Sequence, residues 1–219
     1  EESRSGDTVC LMVLDRYTGW MGAYPAKTKS AQEVVSAFDM FIGSSNPRVK
    51  RVYTDGSREF ERALKVMHLP HDVSVLYDLQ SNGVAENSIR RLKEGVRCVL
   101  VQYGFAPEWW AEAARAYAIF RNVTDLHKGQ TPYFRRHGRQ YDGPKILFGC
   151  AIRYLPHGPM AERNHTFLSK TRVGLYMGPE LAANNEYKGK SKVIDAESLA
   201  QAYKSNEVHV IREKSKDIV

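Results

Sequence analysis

The sequence predicts an α/β domain, a mixed sheet flanked by helices over residues 1–138, followed by a small all-β, barrel-like module over residues 139–219. Segments with the period of a strand alternate with segments of helical period through the first part. Past Thr131-Pro132, glycine and proline become frequent and only short strand patterns recur. Hydrophobic residues make up 42% of the 219 and charged residues 26%, a balance that excludes a disordered tail.

Residues 8–14 are rich in β-branched and apolar side chains, and residues 20–24 continue in kind. Asp15-Arg16-Tyr17-Thr18-Gly19 between them carries turn chemistry, so a β-hairpin is expected. Ser30 with Glu33 forms a capping-box pattern, and Val34, Val35, Phe38, Phe41 and Ile42 recur at helical spacing up to Gly43, a helix of about 13 residues. Residues 49–53 read as a buried strand running into Thr54-Asp55-Gly56, which leaves Asp55 at a strand's C-terminal end. Residues 58–67 are helical by pattern, with Phe60, Leu64 and Met67 on one side, and residues 73–77 are a short strand. Asn82-Gly83 marks the start of a long helix over residues 84–103, whose apolar stripe is Ala85, Ile89, Leu92, Val96, Val99 and Tyr103. Pro107, favourable in a first turn, opens a second helix through Trp109, Trp110 and Ala113 to Phe120, and the two are expected to pack as a pair. Residues 146–155, 173–177, 193–194 and 208–211 are the later strand candidates.

Thirty-two Lys+Arg against 25 Asp+Glu give a net charge of +7 and a pI near 9.3, which suits a polyanionic partner, nucleic acid first. A soluble protein that is merely basic has the same balance. Lys188, Lys190 and Lys192, then Arg212, Lys214 and Lys216, form two basic clusters whose ordinary meaning is solvated surface. Cys10, Cys98 and Cys150 are odd in number, far apart and in apolar contexts, as buried thiols of a reducing compartment are. His68 and His71 have no cysteine pair to complete a zinc site and read as a helix-end and loop pair. No apolar run approaches the roughly 20 residues of a membrane span, and Glu1-Glu2-Ser3-Arg4-Ser5 is no signal peptide, so an intracellular protein is expected. The chain opens at Glu1, without an initiator Met, almost directly into a strand pattern, as a piece of a longer protein does.

Phosphodiester hydrolysis and strand transfer use two divalent cations, and hard cations such as Mg²⁺ take carboxylate oxygens. One carboxylate at a strand end and another in the first turn of a helix can meet at one cleft mouth, and Asp55 and Glu86 have that placement. The plainer alternatives are a turn-former before Gly56 and an exposed partner of Arg90 one helical turn on. Glu86, Arg90, Lys93 and Arg97, at offsets of 4, 7 and 11, share one helix face, either a basic rail for DNA phosphates or a solvated surface.

The run Val52-Tyr53-Thr54-Asp55-Gly56-Ser57-Arg58-Glu59-Phe60, with Gln80-Ser81-Asn82-Gly83-Val84-Ala85-Glu86-Asn87 after it, resembles the paired Asp and Glu motifs of retrotransposon integrases. Trp109-Trp110 with Ala113, Arg121-Asn122, Thr131-Pro132-Tyr133 and Phe148-Gly149 before Tyr154 follow in the order typical of copia-type elements, so most of the chain is covered. Gly56 stands where the family usually has Asn or a similar polar residue, and the interval from Asp55 to Glu86 is shorter than usual. The resemblance implies a ribonuclease H-like core and a three-carboxylate site for two Mg²⁺ or Mn²⁺ ions. It also implies a DNA integrase that processes element 3′ ends and joins them to target DNA, as a homo-oligomer acting in the nucleus and without membrane contact. A different reading is a catalytically dead, nucleic-acid-binding remnant of a decayed element that keeps the fold and basic surface. A cellular ribonuclease or transposase on the same fold fits the region after Glu86 less well.

The first carboxylate has two readings. The family pattern places it one strand before the hairpin, upstream of Glu1, with Asp15 in the hairpin turn; alternatively Asp15 is itself the first ligand. Only 40 positions separate Asp15 from Asp55, short for the family's first interval. On the former reading the sheet's central strand is missing from residues 1–219, since Glu1 to Ser5 is too short and polar to replace it. Two edges are then left unpaired, and the chain alone is expected to be inactive and poorly soluble.

Overall fold

In a computed structural model, residues 1–43, 49–73, 79–157, 169–182, 185–202 and 204–218 are described, without the side chains of residues 79–82 and 205. The hairpin forms around its turn: β1 (Val9–Leu14) and β2 (Met21–Ala26) pair antiparallel, Leu14 opposite Met21. Helix α1 (Ala31–Ile42) starts where the Ser30 side chain accepts a hydrogen bond from the Glu33 N–H at 3.3 Å, and stops at Gly43. Its last carbonyls are not left bare, because Arg136 and the Asn185 side chain both donate to Phe41 O.

Strand β3 (Val52–Thr54) pairs in parallel with β4 (His71–Val73), with α2 (Arg58–Val66) between them in sequence. Residues 49–51 precede β3 rather than belonging to it. The strand expected at residues 73–77 lies outside the described residues from 74 onward, and the pairing seen begins two residues earlier, at His71. Ala63 and Leu64 of α2 are fully buried in a cluster with Phe38, Phe41 and Trp20.

Helix α3 (Leu79–Tyr103) begins before the expected start. Asn82 and Gly83 lie inside it, which a helix tolerates at a cost of about 1 kcal/mol for the glycine. Glu86 therefore stands about two turns in rather than in the first turn. After a 3₁₀ turn (Pro107–Trp109), α4 (Trp110–Thr124) packs along α3. The approach is close at Gly95, where a Cβ would lie 2.0 Å from the Tyr117 ring. The expected stripe of α3 is buried at Leu92, Val96 and Val99, but Ala85 and Ile89 are exposed.

A short helix without an expectation from sequence, α5 (Pro132–His137), is capped by Thr131, whose hydroxyl accepts from the Phe134 N–H at 3.2 Å. The following module is an antiparallel sheet in the order β5 (Ala151–Tyr154), β6 (Arg172–Leu181), β7 (Tyr187–Asp195), β8 (Ile211–Lys214). It is not a closed barrel: among the described residues β5 and β8 do not pair as strands, and its ends are linked by an isolated bridge between Tyr154 and Ile218 and by His157 at 2.7 Å from Glu213. Nor is it all-β, since Asp195 accepts from the Ser198 N–H at 3.0 Å and starts helix α6 (Ala196–Gln201). The module packs on α4 through β6, and its Met177, Ile194 and Val208 join Leu92, Trp109 and Ala113 in one core.

The mixed sheet expected of the first domain is in two parts. Among the described residues β1 pairs only with β2, and β3 only with β4. Between the two halves runs a cavity of about 2120 Å³ lined by all of β1 and all of β3. The thiols also depart from expectation: Cys10 and Cys98 are exposed and Cys150 is half-buried. Cys10 borders the cavity, and desolvation by the surrounding protein pushes its pKa up to about 11. Among the described residues no helix is long and apolar enough to cross a membrane.

Candidate metal and nucleic-acid site

Asp55 follows β3 directly, and Gly56 after it holds a left-handed φ of 76° where a Cβ would meet Val73 Cγ1 at 2.3 Å. Glycine is thus the residue that lets the chain turn out of the strand against β4. The exposed Asp55 carboxylate accepts one hydrogen bond, from the Ser57 N–H at 3.2 Å, as a turn-former does, and its second oxygen has no partner among the described residues. Glu86 is exposed and likewise has no hydrogen bond or ion pair among the described residues. It is not the partner of Arg90, which instead donates to Glu94 at 3.2 Å and to Asn87 at 2.8 Å.

Asp55 and Glu86 border the same 2120 Å³ cavity, together with Lys93 and Arg97. Glu86, Arg90, Lys93 and Arg97 also line a shallower groove of about 390 Å³ along α3, which puts the four on one face. Within it Lys93 and Arg97 make no described ion pair, whereas the Arg90 guanidinium is already engaged.

Asp15 borders the cavity too, but both of its oxygens are occupied in the hairpin turn: Oδ1 accepts from the Tyr17 N–H at 2.9 Å and Oδ2 from the Thr18 hydroxyl at 2.6 Å. His71 Nε2 lies 2.8 Å from Thr54 Oγ1 and cross-links β3 to β4. Among the described residues, no three His, Cys, Asp or Glu side chains gather to hold a metal. The donor chemistry of Asp55 and Glu86 nonetheless suits Mg²⁺, which takes one or two carboxylates and completes its shell with waters and phosphate oxygens.

Sequence reasoning missed Lys29 and Arg51, which border the same cavity. They belong to separate segments, so no spacing rule joins them. It also left the two basic clusters as solvated surface. The register sets Lys190 opposite Lys214 and Lys192 opposite Arg212 across β7 and β8, like charges directly facing, with Arg212 already paired to Glu180 at 2.5 Å. Such pairs weaken a sheet, and an anion laid over them relieves the repulsion.

No family model matches the chain, and no curated protein matches its sequence. Among solved structures, it is similar to the HTLV-2 integrase catalytic core domain in complex with magnesium. The trimeric form shares 19% identity over 58% of this chain and 84% of that one, with a TM-score of 0.45. The dimeric form shares 20% over 59% and 84%, with a TM-score of 0.42. The chain is also similar to the simian T-cell lymphotropic virus intasome in complex with PP2A regulatory subunit B56 gamma, at 15% identity over 94% of this chain and 70% of that one, with a TM-score of 0.46.

Proposed function

We propose that this chain is the catalytic region of a copia-type retrotransposon integrase, a metal-dependent polynucleotidyl transferase acting on DNA. One observation carries the reading: the two carboxylates of the integrase-like motifs, Asp55 and Glu86, border one cavity with Lys93 and Arg97, which make no ion pair among the described residues. Asp55 and Glu86 supply the oxygen donors that would hold the divalent ions. Such ions, when bound, activate the attacking oxygen and stabilise the departing one. Lys93 and Arg97 hold the DNA by its phosphates, without reading its sequence. Asp15 is assigned to the hairpin turn, where the Tyr17 N–H and the Thr18 hydroxyl hold one oxygen each. The facing, exposed Lys190 and Lys214 of β7 and β8 offer DNA a second contact.

The second reading, a DNA-binding remnant without catalysis, is favoured by the lack of a third metal-binding side chain among the described residues. Mn²⁺-dependent cleavage and joining of duplex oligonucleotides, by residues 1–219 joined to an upstream segment that carries the first strand, separates the two. The integrase reading expects activity that Asp55→Asn and Glu86→Gln each lower by about a hundredfold or more, some 3 kcal/mol of barrier, with DNA binding unchanged. Activity retained in either variant refutes the assignment. Salt-sensitive DNA binding without any metal-dependent chemistry supports the remnant.

A further inference from the structure

His71 and the turn that carries Asp55 are joined through one hydroxyl. Thr54 closes β3 and borders the cavity, and its Oγ1 accepts from the Gly56 N–H at 3.3 Å, a bond that spans Asp55. The same Oγ1 lies 2.8 Å from His71 Nε2. In the parallel ladder His71 stands opposite Val52, so its side chain shares a sheet face with Val52 and Thr54 and reaches Thr54 on the diagonal. His71 itself does not line the cavity, so it stands behind Asp55 rather than beside it.

Each link restrains the next. Gly56 turns the chain at a φ of 76°, but a glycine adopts either sign of φ freely, so it permits the turn without enforcing it. The direction of the exposed Asp55 carboxylate follows from that turn and from its own bond to the Ser57 N–H at 3.2 Å. The Thr54 hydroxyl holds the turn only while χ1 keeps Oγ1 against the Gly56 N–H, and rotation to another staggered well removes it. The half-buried His71 ring is the group that pins that hydroxyl from the neighbouring strand.

We propose that His71 is a positioning residue for the Asp55 carboxylate. By holding the Thr54 hydroxyl in the rotamer that accepts the Gly56 N–H, it fixes the turn that presents Asp55 to the cavity before any metal arrives. This role rests on the reading of Asp55 as a metal ligand and adds a residue which that reading does not use. His71 supplies preorganisation and no ligand atom: without it Asp55 takes a wider spread of orientations and holds a divalent ion more weakly.

The test follows the whole 219-residue chain by NMR, wild type beside His71→Phe, which keeps a ring without nitrogens, and Thr54→Val, which keeps the shape without the hydroxyl. Without metal, the coupling across the Thr54 χ1 bond is expected to report a single rotamer in wild type and a rotamer average in His71→Phe. With duplex DNA, the Mn²⁺ concentration that half-broadens the Gly56 and Ser57 amides is expected to rise about tenfold in both His71→Phe and Thr54→Val. His71→Gln, whose amide reaches as far as the ring Nε2, is expected to restore both readings. A single Thr54 rotamer in His71→Phe overturns the proposal. So does a loss that His71→Gln fails to restore, which would show that the ring serves packing alone. Asp55→Asn separates the two possible failures. If it abolishes the broadening while His71→Phe leaves the wild-type Mn²⁺ dependence, only the role of His71 is lost. If Asp55→Asn leaves the broadening in place, the metal reading fails and the role of His71 falls with it.

Discussion

Asn122, only 1% exposed, accepts from the Met21 N–H at 2.9 Å and donates to the Met21 carbonyl at 2.7 Å. Leu14 and Met21 face each other without exchanging backbone bonds, so the Met21 groups point away from β1 and need a partner inside the core. One amide side chain on α4 supplies it, as a neighbouring strand would. Asn122→Ala leaves both groups buried and unmatched, and is expected to cost about 2–4 kcal/mol, read as a lower urea midpoint at unchanged slope. A loss below about 0.5 kcal/mol would show that water replaces the amide. In the sequence Arg121-Asn122 was visible only as part of a family-like order, because a pairing across 101 positions leaves no local pattern. Asp55-Gly56 was legible for the opposite reason: a turn out of a strand is a local demand on φ.

Helices were legible where caps and stripes agreed, as at Ser30 and Gly43 of α1, and less so where a weak breaker met a strong run. Asn82-Gly83 stayed inside α3, which carried Glu86 away from the first turn. The basic face of α3 was legible by spacing alone, but its charges are not equivalent. Lys93→Ala and Arg97→Ala are each expected to reduce the slope of log affinity against log salt by about one unit. Arg90→Ala is expected to do less, since its guanidinium is committed to Glu94 and Asn87. Equal slopes in wild type and both variants would show a face that is merely solvated. In the β-module, Asp195 joins three strands and a helix by accepting from Tyr154, Arg172 and Ser198. Burial alone would raise its pKa, but hydrogen bonds from Arg172, the Ser198 amide and Tyr154 outweigh that and hold it at about 2. The folded value lies below the unfolded one near 3.9, so the stabilisation is complete above about pH 4 and is lost as pH falls towards 2. Asp195→Asn is expected to remove on the order of 2 kcal/mol at neutral pH and to flatten stability between about pH 4 and 2. An unchanged acid profile would contradict this.

Across the whole molecule, the alternation of strand and helix correctly indicated α/β architecture, yet not that the sheet stands in two halves around a cavity. Periodicity reports which face of a strand is apolar, whereas its edges carry backbone groups common to every residue. The open edges of β1 and β3 are expected to make the chain prone to self-association. The central claim is narrower: Asp55 and Glu86, drawn from two distant motifs, act as one divalent-metal centre. Its most direct test is a Mn²⁺ titration of the chain in the presence of duplex DNA, read as paramagnetic broadening of amide resonances. The account predicts that signals around Asp55 and Glu86 broaden together at substoichiometric Mn²⁺, and that Asp55→Asn or Glu86→Gln abolishes the effect at both places. Broadening centred elsewhere, or at one of the two carboxylates without the other, would contradict it.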